Sequence, residues 1–394
     1  MKITEKSLTE QYISNLPKTE LHVHLDGTLE AELMFDVAQR NQVPFPYNNV
    51  EETRAAYQFN NLQEFLNLYF LGAGVMKTEQ DFYDLTYAYL KKAREDGVLH
   101  TEMFVGPQTH TWKPDITIDT VMGGTIRAIR DAEKNLGITS SIIIDFNRSF
   151  VNDPSKIAKP GWQEQAQTDA PADAEKTYAS VQDYLQRKPD NKKHVIGFGL
   201  DYAENGFPPE WFQPLFSRII GDGFKTVCHA GEEGPAEYVQ QAIDLLQVSR
   251  VDHGYHAFDD AQLTARIAAE KIPLTMCPLS NQKLQVFPDL TKHPLKQMFD
   301  LGVKVTLNSD DPAYFGGYVN DNYKAITKAL DLQIGDIHMI ARNSIEASFL
   351  APEKKEALLG QLDIYHATFM AQHPELNDGK PHAWPNKSLA GDRQ

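Results

Sequence analysis

His22 and His24, in the stretch TELHVHL, stand two residues apart. On an extended segment such residues project to one side. Imidazole is the commonest protein ligand for a transition metal, so one short segment presents two nitrogens to a single ion. Three other places carry related chemistry: His229 in CHAGEEG, His253 in VDHGYHA and Asp310-Asp311 in LNSDDP. His22, His24, His229 and Asp310 together offer three nitrogens and a carboxylate. That donor set suits a catalytic zinc with a position left open for water or substrate. Iron and cobalt are also compatible with it.

The polar residues beside these donors then have chemistry to do. Zinc lowers the pKa of bound water to about 7, which supplies hydroxide at neutral pH. His253 is placed to accept that proton or hold the hydroxide in line. Glu232 follows His229 by three residues, on the turn leaving a strand, so its carboxyl can face the same cavity. Its neighbour Glu233 reads as a solvated surface carboxylate. Asp311 diverges from Asp310 and is free to meet substrate, and repulsion between the two favours a protonated carboxyl that can donate to a ring nitrogen. A hydroxide, a carboxylic acid and a second hydrogen-bonding carboxyl suit hydrolytic attack on a flat, nitrogen-rich ring. Deamination belongs to that class.

Eight short apolar or β-branched runs must position these residues: TELHVHL, LHTEMFV, SSIIIDF, HVIGFGLD, KTVCHAG, RVDHG, IPLTMCP and VKVTLNS. Separated by helix-length stretches, they predict a single α/β domain, a (β/α)8 TIM barrel with a core over about residues 17–351. In such barrels the C-terminal ends of the strands converge on the site. The histidines and the aspartate pair all fall there. A two-metal version would need a bridging group, commonly a modified lysine, at the end of the fourth run. That run ends in Leu200-Asp201, so one ion is expected. Residues 41–80 contain more helix than one crossover requires and are expected to cover the mouth as a helical lid. Within them Leu62, Phe65, Leu66, Tyr69 and Phe70 follow the spacing of one helix face. Residues 152–193 read as a polar surface excursion with a helix near 174–187, and residues 371–394 as a tail that adds little to the core.

Composition removes several classes of function. A formal net charge of −16 repels nucleic acid and acidic membranes, and no apolar run approaches the ~20 residues that span a bilayer. A small-molecule partner fits better. The first residues lack the apolar core of a signal peptide and the chain has 2 cysteines, which together favour a cytoplasmic setting. His100-Thr101-Glu102 lacks the Pro-Cys-x-x-Cys half of the cytidine-deaminase zinc motif, and Gly197-Phe198-Gly199 has Tyr202 where a dinucleotide fingerprint needs glycine. No pattern bears on oligomeric state.

With TELHVHLDGTL, CHAGEE, VDHG and LNSDDP in this order, the chain resembles the adenosine/adenine deaminase family of metal-dependent amidohydrolases over about residues 17–351. The resemblance implies that His22, His24, His229 and Asp310 hold zinc and that Glu232 donates a proton to purine N1. It further implies that His253 positions the attacking hydroxide and that Asp311 contacts N7, with addition at C6 before ammonia leaves. AGVMKTEQDFYDLTYAYL, GPQTHT, CPLSNQKLQVFPDL and SDDPAYFGGYVNDNY are closer to the branch that acts on the free base adenine.

Three segments depart from that branch. Phe146-Asn147-Arg148-Ser149 stands for Phe-Leu-Arg-His, Asp201-Tyr202-Ala203-Glu204 with Gly206-Phe207-Pro208-Pro209 stands for Asp-Ser-Ser-Glu with Gly-His-Pro-Pro, and Gly106 replaces an aspartate. By family position the Tyr202 backbone lies near purine N3, and its ring is expected to reshape the space a ribose would take. Asn147 and Phe207 are expected to share in substrate choice. The substrate expected is adenine or a modified 6-aminopurine, with adenosine as the nearest rival. A non-catalytic metal-bound binding protein and a phosphoesterase remain as other classes. The first is disfavoured by retention of Glu232, His253 and Asp311, the second by the lack of a metal bridge or basic cluster.

Overall fold

Ile142, Ile143 and Ile144 are consecutive and all fully buried, the mark of a strand covered on both faces. They belong to β3 (Thr139–Asn147), one of eight parallel strands. The others are β1 (Lys18–Glu20), β2 (Val98–Val105), β4 (Val195–Asp201), β5 (Lys225–Ala230), β6 (Arg250–His253), β7 (Leu274–Met276) and β8 (Val305–Leu307), neighbours in sequence order. In this computed structural model, residues 5–57, 59, 62–113, 115–151 and 162–376 are described.

The order of strands and the crossover helices make a (β/α)8 barrel, as the eight runs predicted. The seam closes beyond the ends of β1 and β8. Asp310 N–H donates to the His22 carbonyl at 3.1 Å, and His24 N–H donates to the Asp310 carbonyl at 2.9 Å. On its other side the same segment pairs with Phe104 of β2. The first strand is thus shorter than the sequence pattern suggested. It ends at Glu20 because the Leu21 N–H is taken by the Asn308 side chain, at 2.8 Å, and not by a strand ladder.

The crossover helices carry their own stop and start signals. Glu79–Glu95 begins at a capping box made by Thr78 and Asp81 and buries Phe82, Leu85, Tyr89 and Ala93. Ile118–Leu136 begins at Thr117 and ends at Gly137, whose φ of 69° is the left-handed conformation that terminates helices. Between β1 and β2 lie three further helices, Ala31–Arg40, Val50–Ala55 and Leu62–Val75. The last buries Phe65, Leu68 and Tyr69, whereas Phe70, expected on the same face, is 46% exposed. Phe65 packs on Phe315 at 4.8 Å, which fastens this helix to the segment following β8.

The segment read as a polar excursion is in its described part a crossover helix, Trp162–Arg187. Ala166, Ala170, Ala174, Tyr178 and Val181 are buried along one face, with Tyr178 edge-on to Phe198 of β4 at 5.0 Å. The helix expected near 174–187 extends further toward the N-terminus, where small alanines on the buried face and Pro171 leave no stripe of large apolar residues. Residues 152–161 lie outside the described residues, as does the predicted tail beyond residue 376. Among the described residues no helix is long and apolar enough to cross a membrane.

Candidate active site

Four side chains aim donor atoms at one point at the C-terminal mouth of the barrel. The Nε2 of His229 lies 3.1 Å from that of His22 and 3.2 Å from that of His24. Asp310 Oδ1 lies 3.4 Å from His22 Nε2 and 3.3 Å from His24 Nε2. A tetrahedron with zinc–nitrogen bonds of about 2.0–2.1 Å has edges of about 3.3–3.4 Å. Four of its six edges, those just given, lie close to that length, as donors sharing a single small cation require. Asp310 reaches this place with φ of 65°, a left-handed conformation rare for a residue with a side chain. His253 and Tyr202 share it, at 61° and 72°. Such backbone costs about 1–3 kcal/mol at each residue and collects at functional sites.

The donors are oriented from behind. His22 Nδ1 donates to Thr275 Oγ1 at 2.9 Å, and Thr275 in turn donates to Asp252 at 2.8 Å. This chain puts the His22 proton on Nδ1 and leaves the Nε2 lone pair facing the other donors. His24 Nδ1 lies between Asp145 Oδ2 at 3.3 Å and Asp201 Oδ2 at 3.5 Å. The Phe104 ring stacks on His24 at 5.0 Å and meets His22 edge-on at 5.1 Å, an apolar floor beneath the imidazoles.

Burial and charge set the protonation of these groups. Burial, reinforced by His22, keeps His229 and His253 well below the ordinary histidine range and so neutral. Burial opposes ionisation of Asp310, but His22, His24 and His253 outweigh it and hold the carboxyl well below its usual range. Burial opposes charge on His24 too, yet Asp201, Asp311, Asp145 and Asp310 outweigh it and push that imidazole well above. This concentration of carboxylates calls for positive charge, which a divalent cation supplies. Burial pushes Asp145 up to about 7. Glu232 and Asp311 stand well above the usual carboxylate range, each mainly through burial and then through Asp310 and other acidic neighbours, with His24 partly opposing at Asp311.

An open pocket lies beside this cluster at the barrel mouth. Glu232, His253 and Asp311 face it, with Leu66, Tyr69 and Tyr202 among its walls. His253 Nε2 lies 3.5 Å from Glu232 Oε2 and 3.8 Å from Asp310 Oδ2. Glu232 Oε1 and Asp311 Oδ1 are buried without a hydrogen-bond partner, so both are available to a ligand. Asp311 sits tightly against Gly27, where a Cβ would come within 2.0 Å of Asp311 Oδ1. The Tyr202 hydroxyl is held by Thr109 at 2.7 Å and its ring lies parallel to that of Phe70, 6.4 Å away. A Cβ on Gly106 would stand 3.4 Å from that hydroxyl, so the missing side chain at 106 leaves room for Tyr202.

All eight residues singled out from the sequence, His22, His24, Tyr202, His229, Glu232, His253, Asp310 and Asp311, therefore meet in one place. Other expectations need correction. Glu233 is half-buried and lines the pocket, because the turn after β5 folds inward. Asn147 turns its side chain to Ser149, and Phe207 packs with Val151 and Ala166, so neither lines the pocket. Asp145 and Asp201, not among the residues expected at the site, flank His24 Nδ1. Asp201 ends β4 at the mouth, and Asp145 interrupts the run SIIIDF, each a signal in itself. Thr275 carried no such signal.

Imidazole and carboxylate donors converging on a cavity at a parallel barrel's mouth define the class of barrel hydrolases that work through a metal ion. The adenosine deaminase profile matches residues 17–160 and 170–365. The chain belongs to the adenosine deaminase family. It is 49% identical over 353 residues to the adenine deaminase of Ralstonia nicotianae, covering 90% of this chain and 96% of that protein. The crystal structure of adenine deaminase from Arthrobacter aurescens superposes with a TM-score of 0.78 at 38% identity, covering 89% of this chain and 99% of that one. An amidohydrolase from Burkholderia ambifaria with bound zinc gives 0.77 at 26% identity, covering 94% and 96%.

Proposed function

We propose that the protein is a hydrolytic deaminase that converts adenine and water to hypoxanthine and ammonia, with one zinc ion per chain held by His22, His24, His229 and Asp310. The observation that carries this reading is the pair of carboxyls, Glu232 and Asp311, set beside the His22, His24, His229 and Asp310 donors with one buried, unpartnered oxygen each. When bound, the ion supplies a hydroxide nucleophile at neutral pH. Glu232, kept protonated by burial, gives its proton to purine N1 as the nucleophile adds at C6. Asp311, kept protonated likewise, donates a hydrogen bond to N7 and fixes the ring in the pocket. His253 is neutral and can take up the proton of the incoming water.

Substrate choice rests on Tyr202, whose ring, tethered to Thr109 and parallel to Phe70, occupies space beside the base. A purine without a sugar is the smaller ligand and fits that wall. The adenine deaminase names of the relatives at 49% and 38% identity support the same choice. Ammonia release from adenine, N6-methyladenine, adenosine and AMP tests it. Adenine is expected to give the highest kcat/KM, and faster turnover of adenosine would overturn the substrate assignment.

A further inference from the structure

The turn Gly231–Gly234, which carries Glu232 out of β5, is folded around a carboxylate from another loop. Glu204, three residues beyond the end of β4 and 1% exposed, accepts three backbone N–H groups from this turn. Its Oε2 takes those of Gly231 at 2.9 Å and Gly234 at 3.1 Å, and its Oε1 takes that of Glu232 at 2.9 Å. A Cβ on Gly234 would fall 2.5 Å from Glu204 Oε2, so the carboxylate lies directly against the backbone. From the other side the Tyr255 hydroxyl donates to the Glu232 carbonyl, and Arg148 Nη1 donates to the His229 carbonyl at 2.7 Å. Successive N–H groups that converge on one anion form a concave nest, and such charge-assisted bonds are stronger than neutral ones. Here the anion belongs to the protein itself.

We propose that Glu204 is a positioning residue that acts through Glu232. Its carboxylate shapes the turn so that the Glu232 side chain is delivered into the pocket at a fixed height beside His253, 3.5 Å from that imidazole. The loop after β4 thereby supplies both the Tyr202 wall and the clamp on the proton donor. Neutral Glu204→Gln keeps the volume but turns an amide nitrogen toward backbone donors, so at least one N–H is left without an acceptor.

The assignment rests on the proposed deamination, and two measurements separate its failure from a failure of that reading. In steady-state assays with adenine, Glu204→Gln is expected to lower kcat about 10- to 100-fold, the scale of a misplaced catalytic group, with KM changed less than about 3-fold. Zinc content stays that of the wild type. In a Glu232→Gln background the same change is expected to lower kcat by less than about 2-fold, because the residue it acts through is gone. Amide exchange at Gly231, Glu232 and Gly234 is expected to accelerate in Glu204→Gln whether or not adenine is turned over. Unchanged exchange, an unchanged kcat, or a full kcat loss persisting in the Glu232→Gln background overturns the clamp. Absence of turnover by the wild type, with exchange accelerated in Glu204→Gln, overturns the deaminase reading alone.

Discussion

The backbones of His22 and Asp310 are hydrogen-bonded to each other, Asp310 N–H to the His22 carbonyl at 3.1 Å, while their side chains converge to 3.4 Å. Two proposed ligands thus form the seam that closes the barrel. Buried support continues beneath it, where Glu20 accepts from the Ser309 N–H at 3.1 Å and from its hydroxyl at 2.5 Å. Site geometry and barrel closure are therefore one structural event.

Thr275 tests the support behind the donors. Thr275→Val keeps the shape but strands both His22 Nδ1 and Asp252, which the hydroxyl joins at 2.9 and 2.8 Å. Zinc affinity, measured by competition with a chelator, is expected to fall about 10- to 100-fold. Wild-type affinity in this variant would remove Thr275 from the account.

Gly27 tests the placement of Asp311. A Cβ there would stand 2.0 Å from Asp311 Oδ1 and 2.7 Å from its Cα, so Gly27→Ala must displace that residue. A shift of about 1 Å predicts a fall in kcat/KM for adenine of about 100-fold. Zinc content, measured alongside, is expected to stay that of the wild type. An active variant with intact kcat/KM would show that Asp311 does not hold the base.

Tyr202 tests specificity. Tyr202→Ser removes the ring that Thr109 tethers and empties the space in front of Gly106. The ratio of kcat/KM for adenosine to that for adenine is expected to rise by about 10-fold or more. A ratio that stays the same would place the discriminating contact elsewhere.

Much of this arrangement was legible in the residue pattern, for a physical reason. His22, His229, His253 and Asp310 end or follow strands in a parallel barrel, and strand ends are readable from short β-branched runs. Asp201 stands at such an end as well, but strand position alone does not show that its carboxylate reaches His24. The crossover helix Trp162–Arg187 was legible only over about 174–187, because the buried face of its first half is built of alanines and not of large aliphatics. Phe207 and Asn147 marked loops that border the site, yet linear position does not tell which side chain of a loop turns inward. Thr275 and Glu204 act through contacts with residues 253 and 28 positions away, which no local pattern encodes.

His293 contributes to the pH dependence of stability. It is buried between Asn281, to which Nε2 donates at 3.1 Å, and the Leu295 N–H, which Nδ1 accepts at 3.2 Å. Burial lowers its pKa from 6.5 to about 3. The unfolded chain binds this proton first as pH falls, so the stabilisation is complete above pH 6.5 and is lost progressively toward pH 3. Its contribution to the slope approaches about 1.4 kcal/mol per pH unit in that window. Urea unfolding between pH 7 and 4.5 is expected to show a shallower loss for His293→Gln than for the wild type. Equal slopes would contradict the assignment.

The central claim, one zinc ion per chain driving adenine deamination, is tested most directly by titrating metal-stripped protein with zinc while ammonia release from adenine is followed. Activity should be absent at the start, rise in proportion to added zinc and break sharply at one equivalent. A break at two equivalents, or full turnover without metal, would contradict it.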